Sequence, residues 1–149
     1  MDVEVDQSCK VEETGDTVLA FSDGLDYVII IPDKVKKAAF RLLQVERRKT
    51  RKVATIWLFA VCLYLLLRDY LGVIEHVTID VEYAGRDSDI KGILLMLIHY
   101  EYPAFTKDRI SFALVGKKSR AHAKAWTVHK DKSKADKKIT RAELLDLLS

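Results

Sequence analysis

Two carboxylates stand at corresponding places in two widely separated segments with the look of β-strands: Asp6, within Val3-Glu-Val-Asp-Gln-Ser, and Asp80, within Val77-Thr-Ile-Asp-Val-Glu. Carboxylates on neighbouring strands can hold a divalent cation, since hard cations such as magnesium take oxygen ligands. Glu82 projects from the same face as Asp80, two residues further on. His122, one turn into a late helix, is placed to approach the same edge as a ligand or proton relay. Asp6, Asp80, Glu82 and His122 are therefore the candidate catalytic residues, and Asp6, Asp80 and His122 the candidate metal ligands. Isolated acids on a half-buried strand are otherwise its wet face, and a lone helical histidine is commonly a surface or packing residue.

Charge is distributed unevenly, although the net value is only +3. Residues 1–33 carry nine acids and one lysine, residues 34–52 nine bases and one glutamate, and residues 110–149 ten bases against four acids. A basic surface beside an acidic pocket suits phosphodiester chemistry: the phosphates are attracted while the scissile group meets a carboxylate-held metal. Lys117, Lys118, Ser119 and Arg120 surround an expected helix N-terminus, whose free N–H groups favour phosphate. Lys124 follows on that helix, Trp126 offers a stacking surface for a base, and Arg47, Arg48 and Lys49 form a second basic cluster. Lys117 and Lys118 do not belong to a Walker loop, because Ser111 and Lys118 stand where that motif needs Gly and Ser or Thr. No Ser-His-Asp order, activated cysteine or glycine-rich dinucleotide loop is present.

The elements that position these residues follow from periodicity. Alternation at Val3 and Val5, the run 17–21 and the apolar run 27–31 predict three antiparallel strands with the third most buried, turned at Gly15 and at Asp23-Gly24. Pro32-Asp33 opens a helix with Val35, Ala38, Ala39, Leu42 and Leu43 on one face. Alternation predicts a fourth strand over 77–83, and Asp87 or Ser88 is placed to cap a helix over 89–100. Residues 110–115 predict a fifth strand, followed by a helix from Ser119. A fourth strand entering by a right-handed crossover commonly joins beside the first, in parallel, which would bring Asp6 and Asp80 within about 4 to 7 Å of each other.

At 149 residues the chain fits one domain. A lysine-rich stretch over 130–138 reads as a mobile linker, and Thr140-Arg-Ala-Glu143 as the capping box of a short terminal helix. Residues 53–67 carry no charge; that length falls between core helices and membrane spans, and the soluble pattern elsewhere favours a buried core helix. Cys9 and Cys62, with no leader before them, argue for a reducing cytoplasm without a zinc cluster or disulfide framework.

With these residues in place the chain resembles the ribonuclease H-like superfamily, which includes ribonucleases H, RuvC-type junction resolvases and integrases. The resemblance lies in topology over residues 1–130 and in three local positions: Val-Asp-Gln-Ser at 5–8, Ile-Asp-Val-Glu at 79–82, and Ser-Arg-Ala-His-Ala-Lys-Ala at 119–125. It implies an α/β fold, a mixed five-stranded sheet of three antiparallel strands then helix-strand-helix-strand-helix, with helices on both faces, followed by 131–149 as linker and terminal helix. It further implies a Mg2+- or Mn2+-dependent nuclease acting on structured DNA or an RNA–DNA hybrid, with Asp6 bridging metals, Asp80 binding one and His122 at the last ligand position. That position is an acid in most of the superfamily, and no glutamate stands at the start of the first helix. A non-catalytic nucleic-acid-binding module with a degenerate site is therefore the alternative, and a homodimer is compatible with either. The resemblance extends to uncharacterised archaeal proteins of this class.

Overall fold

The computed structural model describes residues 1–23, 25–116 and 119–149. It is an α/β fold around a mixed sheet whose strands are β1 (Asp2–Ser8), β2 (Thr17–Ser22), β3 (Tyr27–Ile31), β4 (His76–Asp80), β5 (Ile110–Ala113) and β6 (Lys137–Lys138). The strand order is β5-β4-β1-β2-β3-β6. β2 runs antiparallel to β1 and β3, whereas β4 pairs parallel to β1, β5 to β4 and β6 to β3.

Alternation divides the sheet into two faces. Val3, Val5, Leu19, Phe21, Ile29, Ile31, Val77 and Ile79 point into the main core, shared with α1 (Asp33–Arg41), α2 (Arg51–Leu67), α3 (Asp87–His99) and α5 (Arg141–Leu148). Val18, Ala20, Val28 and Ile30 point the other way, onto Ala125 and Val128 of α4 (Arg120–Lys130). Among the described residues α4 packs on β1, β2 and β3, while on the outer part of that face Thr78, Asp80 and Ser111 are half-buried and Ala113 is exposed. Asp6 and Asp80 are on this second face.

The uncharged segment over 53–67 lies within α2, in which all residues from Leu58 to Leu67 are buried. The helix Arg51–Tyr70, including its final 3-10 turn, has the length and composition to cross a membrane, yet 72% of its most apolar window is buried inside the protein. It forms the centre of the main core, where each fully buried leucine contributes about 1.5–3 kcal/mol. Thr50 starts it by accepting the Val53 amide at 3.2 Å. Between α1 and α2 the chain takes a π-helical turn at Leu42–Glu46 and then a left-handed residue, Arg48, at φ 55°.

Several expectations are corrected. The sheet has six strands, not five, because the supposed mobile linker is tied down. Asp136 and Ile139 donate backbone hydrogen bonds to Val28 and Ile30 at 2.9 and 2.8 Å, and the Asp136 carboxylate accepts the Val28 amide at 2.8 Å. Leu144 and Leu148 of α5 then enter the main core, and the capping box of Thr140 and Glu143 forms as the sequence predicts. β2, rather than β3, is buried throughout, since it is interior to the sheet and covered on both faces. β4 ends at Asp80 instead of running to residue 83, and β5 ends at Ala113. α3 begins at Asp87 behind Arg86, with no side-chain cap from Asp87 or Ser88. Lys36, on the expected polar face of α1, is 2% exposed; its ammonium donates to the Glu13 carbonyl at 2.7 Å and to Thr17 Oγ1 at 3.0 Å. Burial pushes the pKa of Lys36 down.

Candidate metal centre

The β1–β4 ladder pairs Val3 with Val77 and Val5 with Ile79, so Asp6 and Asp80 fall one step past the last rung, on the same face of adjacent parallel strands. Parallel neighbours are separated by about 4.8 Å. Glu82 follows after the strand has ended. One carboxylate oxygen each from Asp6, Asp80 and Glu82 lies within 4.8 Å of the others. The expected approach of Asp6 to Asp80 is met.

Each acid is held by a different device. Asp6, 6% exposed, accepts the Gln7 amide at Oδ1 (2.8 Å) and faces His122 Nδ1 at Oδ2 (2.7 Å). With Asp6 ionised, the imidazole must be the donor, because a carboxylate can only accept. Asp80 Oδ1 accepts the Val115 amide at 2.9 Å, which ties the end of β4 to the chain leaving β5. Glu82 Oε2 has Lys10 Nζ at 3.8 Å, and that ammonium also donates to the Glu82 carbonyl at 3.4 Å. Tyr83 anchors the segment from behind: its ring packs on Phe59 of α2, and its hydroxyl donates to Glu12 at 3.0 Å and faces Gln7 Nε2 at 3.4 Å.

The electrostatics are those of crowded acids with too little compensating charge. Burial, a shared hydrogen bond with Asp80, and the negative charges of Asp80 and Asp6 push Glu82 up to about 8, against a smaller opposing effect of Lys10. Burial also raises Asp6, against the hydrogen bonds from His122 and Gln7 that favour its ionised form. Like charges this close cannot all be ionised without a cation or a proton between them. An all-carboxylate donor set with this repulsion fits a hard divalent cation.

A cleft of about 410 Å³ opens over the acids, lined by Asp6, Gln7, Asp80, Glu82, Leu114, Gly116 and His122. No protein-family model, curated protein or solved structure matches the chain.

The described sequence-predicted residues fall in three places. Asp6, Asp80, Glu82 and His122 converge on the cleft, with His122 bonded to Asp6 and the three acids forming the potential donor cluster. On the helix that carries His122, Ser119 caps the N-terminus by accepting the Ala121 amide at 3.1 Å, Arg120 bonds Asp26 at 3.3 Å, Lys124 is half-buried, and Trp126 is 51% exposed. Trp126 stacks on His129 and has Lys130 over its ring at 4.9 Å. Lys117 and Lys118 lie outside the described residues.

Arg47, Arg48 and Lys49, the second basic cluster, are at the α1–α2 junction, and both helices pack on the face of the sheet opposite the acids. Lys49 there sits over the Trp57 ring at 5.0 Å. Sequence reading missed Gln7, Lys10 and the Val115 amide as partners of the acids. Gln7 and Lys10 are near Asp6 in the chain and could have been suspected, but a backbone amide contributed by the end of β5 leaves no signal in residue type.

Proposed function

We propose that the chain is a divalent-metal-dependent nuclease with a ribonuclease H-like arrangement, hydrolysing phosphodiester bonds in structured DNA or an RNA–DNA hybrid. The observation that carries this reading is the convergence of Asp6, Asp80 and Glu82 within 4.8 Å at the C-terminal ends of two adjacent parallel strands. The strand order, with β4 and β5 continuing the sheet parallel to β1, supports the same reading.

Asp6, Asp80 and Glu82 would hold Mg2+ or Mn2+, which supplies Lewis acidity and lowers the pKa of a bound water. The rest of the work belongs to the chain. His122 orients Asp6 through its 2.7 Å hydrogen bond, and the Val115 amide fixes Asp80. The N-terminal part of α4 borders the cleft at His122, so Arg120, Lys124 and Trp126 are the groups placed to meet the sugar-phosphate backbone and a base.

A second reading is favoured by His122, which occupies one oxygen of Asp6 where a further acid would add a ligand. Under it the chain is a non-catalytic nucleic-acid-binding module. Incubation with branched, hybrid, duplex and single-stranded substrates in Mg2+ or Mn2+, against a chelator control, separates the two. The nuclease reading expects metal-dependent cutting that Asp80→Asn abolishes. Cutting that survives this change refutes it, and salt-sensitive binding without cutting establishes the second reading.

A further inference from the structure

On the face of the molecule away from the acids, α2 and α3 leave a groove between them. Its central part has a volume of about 490 Å³, and its floor includes Val53, Ile56, Trp57, Ile93 and Met96, the last 44% exposed. It continues at one end through Ile56 and Arg86 into a hollow of about 450 Å³ beside Arg51 and Lys52. At the other end it continues through Trp57 and Met96 into one of about 290 Å³ beside Arg47 and Lys49. An apolar floor is thus flanked by cations at both ends. Of the acids nearby, Asp89 is already bonded to Arg86 at 3.2 Å, and Glu12, which lines the hollow beside Arg51 and Lys52, accepts the Tyr83 hydroxyl at 3.0 Å, so the cations remain in excess.

Gly92 lies in the interior of α3 and lines the same groove. A Cβ at this position would meet nothing within 4 Å, and the backbone is ordinary helix. The fold therefore gains nothing from glycine here and forgoes about 1 kcal/mol relative to alanine. What the missing side chain does provide is close approach to the α3 backbone, as in helix pairs that pack through a small residue.

We propose that the α2–α3 groove docks an amphipathic helix of a partner protein, with apolar side chains on Trp57, Ile93 and Met96, its backbone close to Gly92, and acidic residues flanking the apolar stripe. Helix-in-groove recognition seats the apolar face of an amphipathic helix on such a floor, and the charged ends add partner selectivity. Charge complementarity selects an acidic partner, and it disfavours groove-to-groove pairing with a second copy of this chain, which would bring the same cations. A nucleic acid would use the cations but leave the apolar floor unfilled.

The test uses a fluorescein-labelled synthetic helix of about 18 residues, or five turns, with Leu at i, i+3, i+4 and i+7 and Glu on its flanks. A lysine-flanked counterpart, a single-stranded oligonucleotide and anionic phosphatidylserine vesicles serve as the other arms. The acidic helix is expected to bind saturably, about tenfold or more weakly to Gly92→Leu, and unchanged to Asp80→Asn, which keeps this outcome separate from the nuclease reading. Gly92→Ala is expected to raise the thermal midpoint of the free protein. Equal binding of the lysine-flanked helix, Gly92-dependent binding of oligonucleotide or vesicles in place of the peptide, undiminished binding to Gly92→Leu, no binding to the parent protein, or a lowered midpoint for Gly92→Ala would each overturn the proposal.

Discussion

Asp6 and Asp80 occupy the first position beyond the Val5–Ile79 rung of the parallel β1–β4 ladder, and this adjacency creates the acidic centre. Seventy-four positions of chain separate them, yet parallel register leaves their carboxylates on one face with only the interstrand spacing between them.

Removing one of these acids should remove chemistry more than structure. Asp80→Asn keeps the shape and the Val115 hydrogen bond while losing a full ligand charge. A loss of about 10³-fold in metal-dependent cleavage is expected, equivalent to about 4 kcal/mol of transition-state stabilisation. Single-turnover cleavage by parent and variant at saturating Mn2+ checks it, and equal rates would exclude Asp80 from the reaction.

Stability of the metal-free protein should fall as pH rises. Glu82 is raised from 4.5 to about 8, so between those values the folded chain holds a proton that the unfolded chain has released. The folded state binds more protons, which makes the slope of stability against pH negative there. The contribution is fully present below about 4.5 and lost as pH passes about 8; Asp6, also raised, acts with the same sign. Urea unfolding from pH 5 to 9 in the presence of a chelator should show the decline, and Glu82→Gln should flatten it. A parent and variant with parallel profiles would contradict this account.

Cation binding should invert that dependence. Metal and proton compete for the same oxygens, so binding releases protons and strengthens with pH. At a concentration about 100 times Kd, Mn2+ should add about 2.7 kcal/mol to stability. The rise in melting temperature should be larger at pH 8.5 than at pH 6 and absent in Asp6→Asn/Asp80→Asn. A pH-independent rise, or one that the double variant retains, would point to metal bound elsewhere.

His122 acts on the centre through Asp6. His122→Ala should weaken cation affinity by about 10- to 100-fold, the usual effect of losing a hydrogen-bond partner of a ligand, while binding of duplex DNA in a chelator stays within twofold. Metal titrations followed by thermal shift give the first quantity and fluorescence anisotropy the second. Unchanged metal affinity would reduce His122 to a surface residue.

The apolar helix should behave as core. Leu63, fully buried in α2, should cost about 2–5 kcal/mol when replaced by alanine. Urea denaturation should show the loss as a lower midpoint with an unchanged m-value. A loss below about 0.5 kcal/mol, typical of surface positions, would remove α2 from the core.

Local pattern alone determined much of this molecule. Period-two alternation set the inward residues of β1 and β4 and left Asp6 and Asp80 on the other face, because a strand's side chains alternate strictly. The absence of charge over 53–67, with soluble segments around it, marked a core helix, and the Thr140–Glu143 box marked the start of α5. Tertiary structure decided what local pattern cannot carry. Lys137–Lys138 forms an edge strand although two lysines have little strand propensity of their own, because β3 offers unpaired backbone groups there. Lys36 is buried because the Glu13 carbonyl and Thr17 hydroxyl satisfy its ammonium, a compensation invisible in helical periodicity. The basic run at Arg47, Arg48 and Lys49 was legible as charge, but the face of the sheet it serves depends on where α1 and α2 pack. Glu82 joins the centre only because the chain after β4 is pinned by Lys10 and Tyr83, contacts between segments more than 70 residues apart. Residue type fixes what a group can do and its local face; the company it keeps across the sheet is set by the global packing minimum.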